Sequence, residues 1–440
     1  MCKKATKSIL GLALVLALVF SMTACSSGAE NGGNSKTGKA DQQVTLTLYH
    51  IWAGGDAKAD IMTKVLDTFM RENKNIKLDI QTDSSQAYMS KIRTYAASGS
   101  VPDVTFLYSY STLTSIAKSK SIADLTSVLN SDNEWKSAFK DGALESMNVG
   151  GNIYGVPVEG NAEGVFYNKA LFDKFGVTYP KTYTELKQVV QKFKANGIIP
   201  ISLFGKEDFS GLFQVQYFLD RQAGTDTLTK ILNKNEKFSN PDYIKAFTKF
   251  SELSKLGAFP QNIASISYDQ SRQLFVQGKA AMIIDGTWDI PQYDAKGKED
   301  FAKNIEFAAF PAFEDGKGNT DAVCKNYANG FGMSSKLQGA KKDAAIKLLK
   351  FLSYGDGAKL FADNKVIVST NVKADESNMG ILLPKVLKVM NSTKTFMQYN
   401  DDMTDAMGQK YLEANQELVV GGNPEDILKK LDTATANLSK

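Results

Sequence analysis

Side chains that could support catalysis are scarce in this sequence. His50 is the only histidine among 440 residues, so at most one histidine-based catalytic centre could form. No serine lies in a Gly-x-Ser-x-Gly turn, and neither a phosphate loop nor a Gly-x-Gly-x-x-Gly turn follows a strand. Cysteine and histidine are also too few for a usual zinc site. The sequence therefore predicts a protein that is not an enzyme and has no metal or cofactor. A surface glycoside hydrolase, which needs only two carboxylates, remains the alternative.

Recognition of a solute is the chemistry that suits the remaining candidates. Trp288 follows Asp285 and Gly286 in a predicted turn after a buried strand over residues 280–284. A sugar has one face of C–H groups that suits an indole plane, while its hydroxyls need amide and carboxylate partners. Trp288 is therefore the leading candidate for sugar stacking, with core packing as the alternative. Asp285 could bind a pair of hydroxyls or could hold the turn.

Further candidates come at the ends of two predicted strands in the N-terminal part of the chain. They are His50, Trp52 and Asp56 after the first strand, and Tyr108 and Tyr110 after the strand over residues 104–107. Open α/β sheets bind ligands beyond the carboxyl ends of their strands. The alternative for each is a satisfied side chain of the core or its rim.

The elements that must position these residues alternate along the chain. Residues 44–49 alternate apolar and polar side chains, residues 59–71 carry an apolar helical face, and residues 76–80 form a second strand. This βαβ unit and the later pattern indicate an α/β fold. Predicted helix starts follow at Thr182, with Glu185 in a capping box, and at Asn240 and Asn423, each followed by proline.

The N-terminus has the pattern of a signal peptide. Three lysines within the first seven residues precede a 12-residue apolar run, residues 9–20. A helix that crosses a membrane needs about 20 residues, so a permanent transmembrane anchor fits less well. Residues 1–24 are therefore predicted to be removed.

Cys25 follows the small residues Thr23 and Ala24, an order that resembles the bacterial lipobox. Lipidation of Cys25 would give two acyl chains and a stable membrane anchor, while ordinary cleavage nearby is the alternative. Residues 26–43 contain no large apolar side chain and predict a flexible tether. The remaining 400 or so residues exceed the size of one core, so at least two domains are expected.

Charge and cysteine usage restrict the partners. The chain has 52 basic and 48 acidic side chains, and without the three lysines of the predicted signal the balance is 49 to 48. No nucleic-acid partner is therefore expected. Cys2 leaves with the signal and Cys25 is lipidated, so Cys324 is left without a partner for a disulfide.

Five segments, taken in order, resemble the extracellular sugar-binding lipoproteins of bacterial ATP-driven importers, relatives of maltose-binding protein. Residues 154–169 read YGVPVEGNAEGVFYNK, similar to the family's Tyr-Gly-x-Pro and Tyr-Asn-Lys, and residues 273–290 read QLFVQGKAAMIIDGTWDI, similar to its Phe-x-x-Gly-Lys-Ala-Ala-Met and Gly-x-Trp. Residues 101–104 (VPDV), the helix over residues 344–352 and the segment at Asn423 agree in position.

This resemblance implies a two-lobed periplasmic-binding-protein-like fold of type II. Each lobe would be a mixed sheet flanked by helices, joined by a hinge of several strands. The implied division is residues 44–160 plus 309–365 for lobe I and 161–308 plus 366–440 for lobe II. The chain would cross the hinge three times, with the first crossing near residues 157–161 and the second at Phe310-Pro311.

The resemblance also implies where the solute binds. Asn161 matches a family position that commonly contacts ligand, and Glu159 and Glu163 lie two residues to either side on the same predicted strand face. A solvated hinge face is the alternative for the two glutamates. Asn329 and Gly330 resemble a glycine-rich turn that borders the cleft, and Asp208 and Phe209 lie in a loop where relatives add an aromatic side chain.

The implied function is capture of a mono- or oligosaccharide for delivery to the permease subunits of an ABC transporter. The expected location is the extracellular face of the cell membrane, as a lipid-anchored monomer of the Gram-positive type. A non-sugar solute on the same fold, such as a peptide, a polyamine or a metal complex, is the alternative.

Overall fold

A computed structural model describes residues 43–438, without the side chains of Gln86, Tyr110, Ser111, Thr112 and Ala328. The predicted signal peptide, Cys25 and residues 26–42 of the predicted tether lie outside the described residues. Among the helices of the described part, none combines the length and the apolar composition that a membrane span requires.

Strands and helices alternate along the described residues, which confirms the predicted α/β class. The strands are β1 (Val44–His50), β2 (Ile76–Thr82), β3 (Val104–Tyr108), β4 (Asn148–Val149), β5 (Asn152–Ile153), β6 (Val156–Asn168), β7 (Ile199–Ser202), β8 (Ala280–Gly286), β9 (Ile305–Ala308), β10 (Val323–Met333) and β11 (Thr395–Phe396). The helices are α1 (Ala59–Glu72), α2 (Ser85–Ser98), α3 (Tyr110–Lys118), α4 (Thr126–Ser131), α5 (Asn133–Ser137), α6 (Lys169–Lys174), α7 (Tyr183–Ala195), α8 (Leu212–Ala223), α9 (Thr225–Leu232), α10 (Pro241–Leu256), α11 (Tyr268–Val276), α12 (Ile290–Tyr293), α13 (Glu299–Lys303), α14 (Gly339–Ser353), α15 (Asp356–Asp363), α16 (Leu382–Ser392), α17 (Asp405–Val419) and α18 (Pro424–Thr435).

The predicted helix starts are set by side-chain caps. The Asn240 side chain accepts a hydrogen bond from the backbone N–H of Tyr243, the third residue of α10, and the Asn423 side chain accepts two at the start of α18. Thr182 accepts from the Glu185 N–H at 3.2 Å. The Glu185 carboxylate accepts from the Lys181 N–H instead of closing back on Thr182, so only half of the predicted capping box forms.

One mixed sheet runs through the protein in the order β2-β1-β3-β10-β6-β8-β7, with β11 beside β10 and β9 beside β6. Strand β10 is antiparallel to both of its neighbours, β3 and β6, whereas β1 pairs in parallel with β2 and β3. Strand β6 continues past β10 to pair with β8 and β9. The two long strands β6 and β10 therefore join β1–β3 on one side of the sheet to β7–β9 on the other.

Buried apolar side chains fall on either side of this junction. The first cluster draws on residues 44–158 and 327–368, and two further clusters draw on residues 165–324 and 382–431. The chain thus passes from one side to the other three times, as the resemblance implied. We propose that the first cluster is the core of lobe I and that the other two form lobe II.

The position of the second crossing differs from the prediction. Phe310 is buried in the second cluster together with Phe313, and the Arg221 guanidinium donates to the Phe310 carbonyl at 3.0 Å and 3.1 Å. Residues 309–324 therefore pack with lobe II, because their aromatic side chains complete its core. The crossing itself is made by β10.

Candidate functional site

Strand β6 presents three polar side chains between the two cores. Glu159, Asn161 and Glu163 are only 1%, 3% and 1% exposed, so they do not form a solvated hinge face. They share one face of the strand because side chains alternate along it. The antiparallel register places Asn329 of β10 opposite Glu159, and Asn326 opposite Asn161. The two crossing strands together thus build a polar patch at the junction.

Glu159 is engaged by groups of the protein itself. Lys58 Nζ lies 2.8 Å from both of its carboxylate oxygens, and the Asn329 side-chain amide donates to one of them. Lys58 also lies over the Trp52 ring, 4.8 Å from the ring centre. This buried ion pair links the loop after β1 to both crossing strands, so Glu159 has a structural role at the edge of the site.

Asn329 and Gly330 lie within β10, which corrects the predicted glycine-rich turn. At Gly330 a Cβ atom would collide with the Val156 carbonyl and the Met147 side chain. The glycine is thus needed because β6 passes close to β10, and glycine inside a strand commonly marks such an approach. Asn329 holds Glu159, and its Oδ1 finds no hydrogen-bond partner among residues 43–438.

An amide–carboxylate cluster occupies the next part of the junction; its members are Asn161, Glu163, Asn326, Gln398 and Asp401. Asn326 Nδ2 lies 3.2 Å from Gln398 Oε1 and 3.4 Å from Asp401 Oδ2. Within the described part of the chain, Asn161 Nδ2, Glu163 Oε1 and Asn326 Oδ1 are buried and have no hydrogen-bond partner. The cluster therefore contains both a donor and acceptors that the described residues leave unpaired.

The two carboxyl groups of the cluster titrate far from their ordinary range. Burial raises the pKa of Glu163 well above its usual value, and the nearby Asp401 carboxylate raises it further. Burial also raises the pKa of Asp401, to about 8, with the Asn326 side chain lowering it and Asp402 raising it. Protonated carboxyl groups can donate a hydrogen bond as well as accept one.

The Asp401→Asn variant should change how stability depends on pH. Because the folded-state pKa of about 8 lies above that of an unfolded aspartate, about 3.9, the folded state holds an extra proton between these values. The free energy of unfolding should therefore fall as pH rises from about 4 to about 8, and it should fall less in the variant. Urea unfolding across this range measures the difference; parallel curves for the two proteins would contradict the assignment.

Trp288 lies in the short helical turn directly after β8. Its indole N–H donates to the Tyr268 hydroxyl at 2.7 Å, and its ring packs against Phe213 with centres 5.1 Å apart. The ring is half-buried, so part of it stays open to solvent. The preceding residues pair with β6, because Gly286 lies opposite Glu163 and the Thr287 hydroxyl accepts from the Ala162 N–H. The turn thus begins beside the amide–carboxylate cluster.

Asp285 holds this turn, which decides between the two predicted roles. Its carboxylate is fully buried and accepts from the hydroxyls of Tyr268 at 2.5 Å and Tyr293 at 2.6 Å. Burial and the neighbouring Asp289 carboxylate raise the pKa of Asp285 well above its usual value. Its oxygens are therefore already satisfied, and Asp285 is not a candidate for direct contact with a solute.

Phe209 joins the aromatic group around Trp288, whereas Asp208 is exposed in the same loop. The Phe209 ring lies 5.8 Å from that of Tyr268 and 6.2 Å from that of Phe213. The predicted loop thus supplies an aromatic side chain near Trp288, and the aspartate beside it points to solvent.

The first core contributes Asp56 and Tyr108 to the opposite wall. Burial raises the pKa of Asp56, Lys58 lowers it, and the carboxylates of Asp289 and Glu159 raise it again. Burial raises the pKa of Tyr108 to about 12, with contributions from Asp56 and Glu159. The effect of Asp289 on Asp56 indicates that the loop after β1 lies near the turn that carries Trp288.

Trp52 and His50 do not lie in this wall, which corrects two expectations. Trp52 is buried edge-to-face among Phe106, Phe331 and Phe361, with ring centres 5.5–5.7 Å apart. Trp52, two residues beyond the end of β1, is therefore a core aromatic of the first cluster. His50 is buried as well, with 3% of its surface exposed. Tyr110 starts α3, and its side chain lies outside the described part.

Sequence reasoning missed several residues of the site. Lys58 pairs with Glu159 and Tyr268 accepts from Trp288, while Asn326 lies opposite Asn161 and contacts Gln398 and Asp401. None of these five missed residues stands in a recognisable motif. The one local pattern that could have indicated some of these residues is the polar sequence around Asp401, just before the capped start of α17.

Comparison with known proteins agrees with this architecture. A maltose-bound T. maritima protein superposes with a TM-score of 0.74 at 20% identity, covering 90% of this chain and all of that one. A chitin oligosaccharide binding protein superposes with a TM-score of 0.81 at 22% identity, covering 89% of this chain and 98% of that one. Both share the fold.

Relatives by sequence span most of the chain. An uncharacterized ABC transporter extracellular-binding protein of Pyrococcus horikoshii is 25% identical over 402 residues, which cover 88% of this chain and 86% of that protein. The multiple sugar-binding protein of Streptococcus mutans is 26% identical over 321 residues, covering 71% and 70%. The family model described as bacterial extracellular solute-binding protein matches residues 55–353. Because this match spans well over half of the chain, the protein belongs to the family of bacterial extracellular solute-binding proteins.

Proposed function

We propose that the protein binds a neutral mono- or oligosaccharide outside the cell and delivers it to the permease subunits of an ABC importer. The observation that carries this proposal is the set of unpartnered polar atoms on Asn161, Glu163 and Asn326, beside the turn that carries Trp288. A buried polar atom without a partner costs about 1–3 kcal/mol, so solute hydroxyls that pair with these atoms are stabilised there. The open part of the indole suits the C–H face of a sugar ring.

Charge at the site favours a neutral solute. Lys58 is paired with Glu159, and Arg272 of α11 is paired with Asp289 in the turn that carries Trp288, so neither cation is free to bind an anion. Glu163 and Asp401 have raised pKa values because of burial, so they suit hydroxyl groups better than a permanent cation. A cationic solute such as a polyamine remains the second candidate, since carboxyl groups outnumber cations here.

The proposed mechanism is closure of the two lobes around the solute. In the closed arrangement both lobes contact the same solute molecule. The solute therefore binds more tightly to the closed arrangement than to the open one and shifts the equilibrium toward closure. An ion pair already links the lobes: Arg93 of α2, in the first core, lies 2.7 Å from Asp405 at the start of α17, in the second. The permease would recognise the closed form.

Calorimetry with a panel of solutes tests the proposal. We expect saturable heat with at least one neutral saccharide and none with glycerol phosphate. Binding of spermidine with no response to any saccharide would favour the cationic candidate and reject the sugar. Incubation with oligosaccharides, followed by an assay for new reducing ends, separates binding from hydrolysis. Turnover would overturn the proposal.

The lipid anchor is tested by the Cys25→Ser variant. If Cys25 carries the acyl chains, this variant should lose labelled fatty acid and move from the membrane fraction to the medium, because the remaining chain has no anchor. The Cys2→Ser variant is the matched control and should stay acylated, since that cysteine lies in the predicted signal peptide. Continued acylation of Cys25→Ser would disprove the anchor.

A further inference from the structure

The Trp288 ring is held at both of its ends. Its indole N–H donates to the hydroxyl of Tyr268, a residue of α11, at 2.7 Å. The six-membered part of the ring lies so close to Gly286 that a Cβ atom at that position would collide with it. Because the backbone at Gly286 belongs to β8, the adjustable contact is the one with Tyr268. Whatever fixes the Tyr268 hydroxyl therefore also fixes the ring.

The Tyr268 hydroxyl has one hydrogen but two carboxyl neighbours. Its oxygen lies 2.5 Å from Asp285 Oδ1 and 2.8 Å from Asp289 Oδ2. A hydroxyl donates one hydrogen bond and accepts through two lone pairs, and one of these lone pairs takes the Trp288 N–H. The single hydroxyl hydrogen cannot bridge both carboxyl contacts. The second contact therefore requires a proton that one of the two carboxyl groups carries itself.

Charge balance indicates which carboxyl group carries this proton. The Arg272 guanidinium pairs with Asp289 and also lies over the Tyr268 ring, 4.6 Å from its centre. Asp285 has no ion pair among residues 43–438, and its Oδ2 lies 2.6 Å from the Tyr293 hydroxyl. With Asp289 ionised and Asp285 protonated, the buried group is neutral. With both ionised, it would hold a negative charge without a partner, which is costly away from water.

We propose that Asp285 is a protonated carboxylic acid that positions Trp288 for the solute. Asp285 donates to the Tyr268 hydroxyl, Tyr268 donates to the Asp289 carboxylate, and the indole N–H of Trp288 donates to Tyr268. These four residues are here called the Tyr268 network. Asp285 is a positioning residue, because it acts through Tyr268 and does not touch the solute. The effect on solute affinity rests on the proposed function, whereas the location of the proton does not.

Ionisation of Asp285 would break the Tyr268 network. Burial and the Asp289 carboxylate raise the pKa of Asp285 well above its usual value, while hydrogen bonds with Tyr268 and Tyr293 lower it. The other charged groups that face the network from neighbouring elements are Arg272 and Asp269 of α11, Glu207, Asp56, Glu163 and Lys298. When pH rises through the pKa of Asp285, the bridging proton leaves and the ring loses its fixed position. The dissociation constant for the solute should therefore rise over that pH range.

Infrared spectroscopy of the protein without solute tests the proton directly, because a carboxylic acid has a carbonyl stretch that a carboxylate lacks. At pH 7 the difference spectrum between the wild type and Asp285→Asn should contain an acid band. The matched control is Asp269→Asn, whose difference spectrum should contain only carboxylate bands. Asp269 also pairs with Arg272, but its side chain is 75% exposed and lies outside the Tyr268 network. An Asp285 difference spectrum without an acid band would overturn the proposal.

The indole N–H signal of Trp288 in an NMR spectrum tests the positioning role. The chain has three tryptophans, so the signal is assigned by its absence in Trp288→Phe. Asp285→Leu removes the proton donor to Tyr268 and should shift this signal and raise the dissociation constant about fivefold. Asp285→Asn keeps a neutral donor, so its effect on both should be smaller. Asp269→Asn should leave both unchanged.

A comparison of pH profiles completes the test and does not require Asp285→Leu to fold. The wild-type dissociation constant should rise where the acid band disappears, and that of Asp285→Asn should not. A wild-type constant that stays level while the band disappears would overturn the positioning role, as would an unshifted indole signal in folded Asp285→Leu. If the band and the indole signal behave as expected but no saccharide binds, the proposed function fails and the assignment of the proton stands.

Discussion

Replacing Trp288 by alanine is expected to raise the dissociation constant for the bound saccharide at least tenfold, about 1.4 kcal/mol. The indole provides an apolar plane beside the unpartnered atoms of Asn161 and Glu163, and alanine removes that plane. The ring is only half-buried and lies at the edge of the aromatic group around Phe213, so the protein should still fold. Calorimetry with the best saccharide of the panel measures the change.

Two matched variants separate the stacking contact of the Trp288 ring from the hydrogen bond that holds the ring in place. Trp288→Phe keeps an aromatic plane but loses the N–H that donates to Tyr268, so its effect should be smaller than that of alanine. Tyr268→Phe removes the acceptor of that bond and leaves the indole in place. An unchanged dissociation constant in Trp288→Ala, with a normal circular dichroism spectrum, would reject the role of Trp288.

Replacing Lys58 by methionine should lower the free energy of unfolding by about 3–5 kcal/mol. The substitution leaves the buried Glu159 carboxylate without its cation, and Asn329 alone cannot compensate for that charge. The methionine side chain keeps most of the apolar volume that packs on Trp52. Urea unfolding of the wild type and the variant measures the loss.

The controls for this prediction are a double substitution and an exposed ion pair. Lys58→Met combined with Glu159→Gln removes the uncompensated charge and should recover much of the stability. Lys169 and Asp173 form a pair whose side chains are 54% and 63% exposed, so Lys169→Met should cost less than about 1 kcal/mol. Equal losses in Lys58→Met and Lys169→Met would contradict the role of the buried pair.

Local patterns were sufficient to predict much of the fold. The alternation of residues 44–49 gave β1, the apolar face of residues 59–71 gave α1, and the caps at Asn240 and Asn423 gave two helix starts. These signals depend on neighbours a few residues apart. The pairing of β10 with β6 joins residues more than 150 positions apart, and the glycines that this close pairing requires resembled a turn instead.

The site was only partly predictable for the same reason. The shared face of Glu159, Asn161 and Glu163 follows from alternation along a single strand, so it could be expected. Whether Trp52 faces the core or the crevice depends on which side the helices cover, which the strand pattern does not contain. Asp401 reaches the cluster only because residues 396–404 fold against β10 and α8, a tertiary contact without a local signature.

The ladder between β6 and β10 is irregular around Asn329, where the register shifts between Asn326 and Asn329 and again between Asn329 and Gly330. A β-bulge of this kind bends its strand and increases its local twist. Two of the three connections between the halves of the molecule, β6 and β10, are thus paired backbone, and a change in the angle between the halves would require torsion in this irregular stretch. The amplitude of the proposed closure would then be limited by how far two hydrogen-bonded strands can twist before their bonds break.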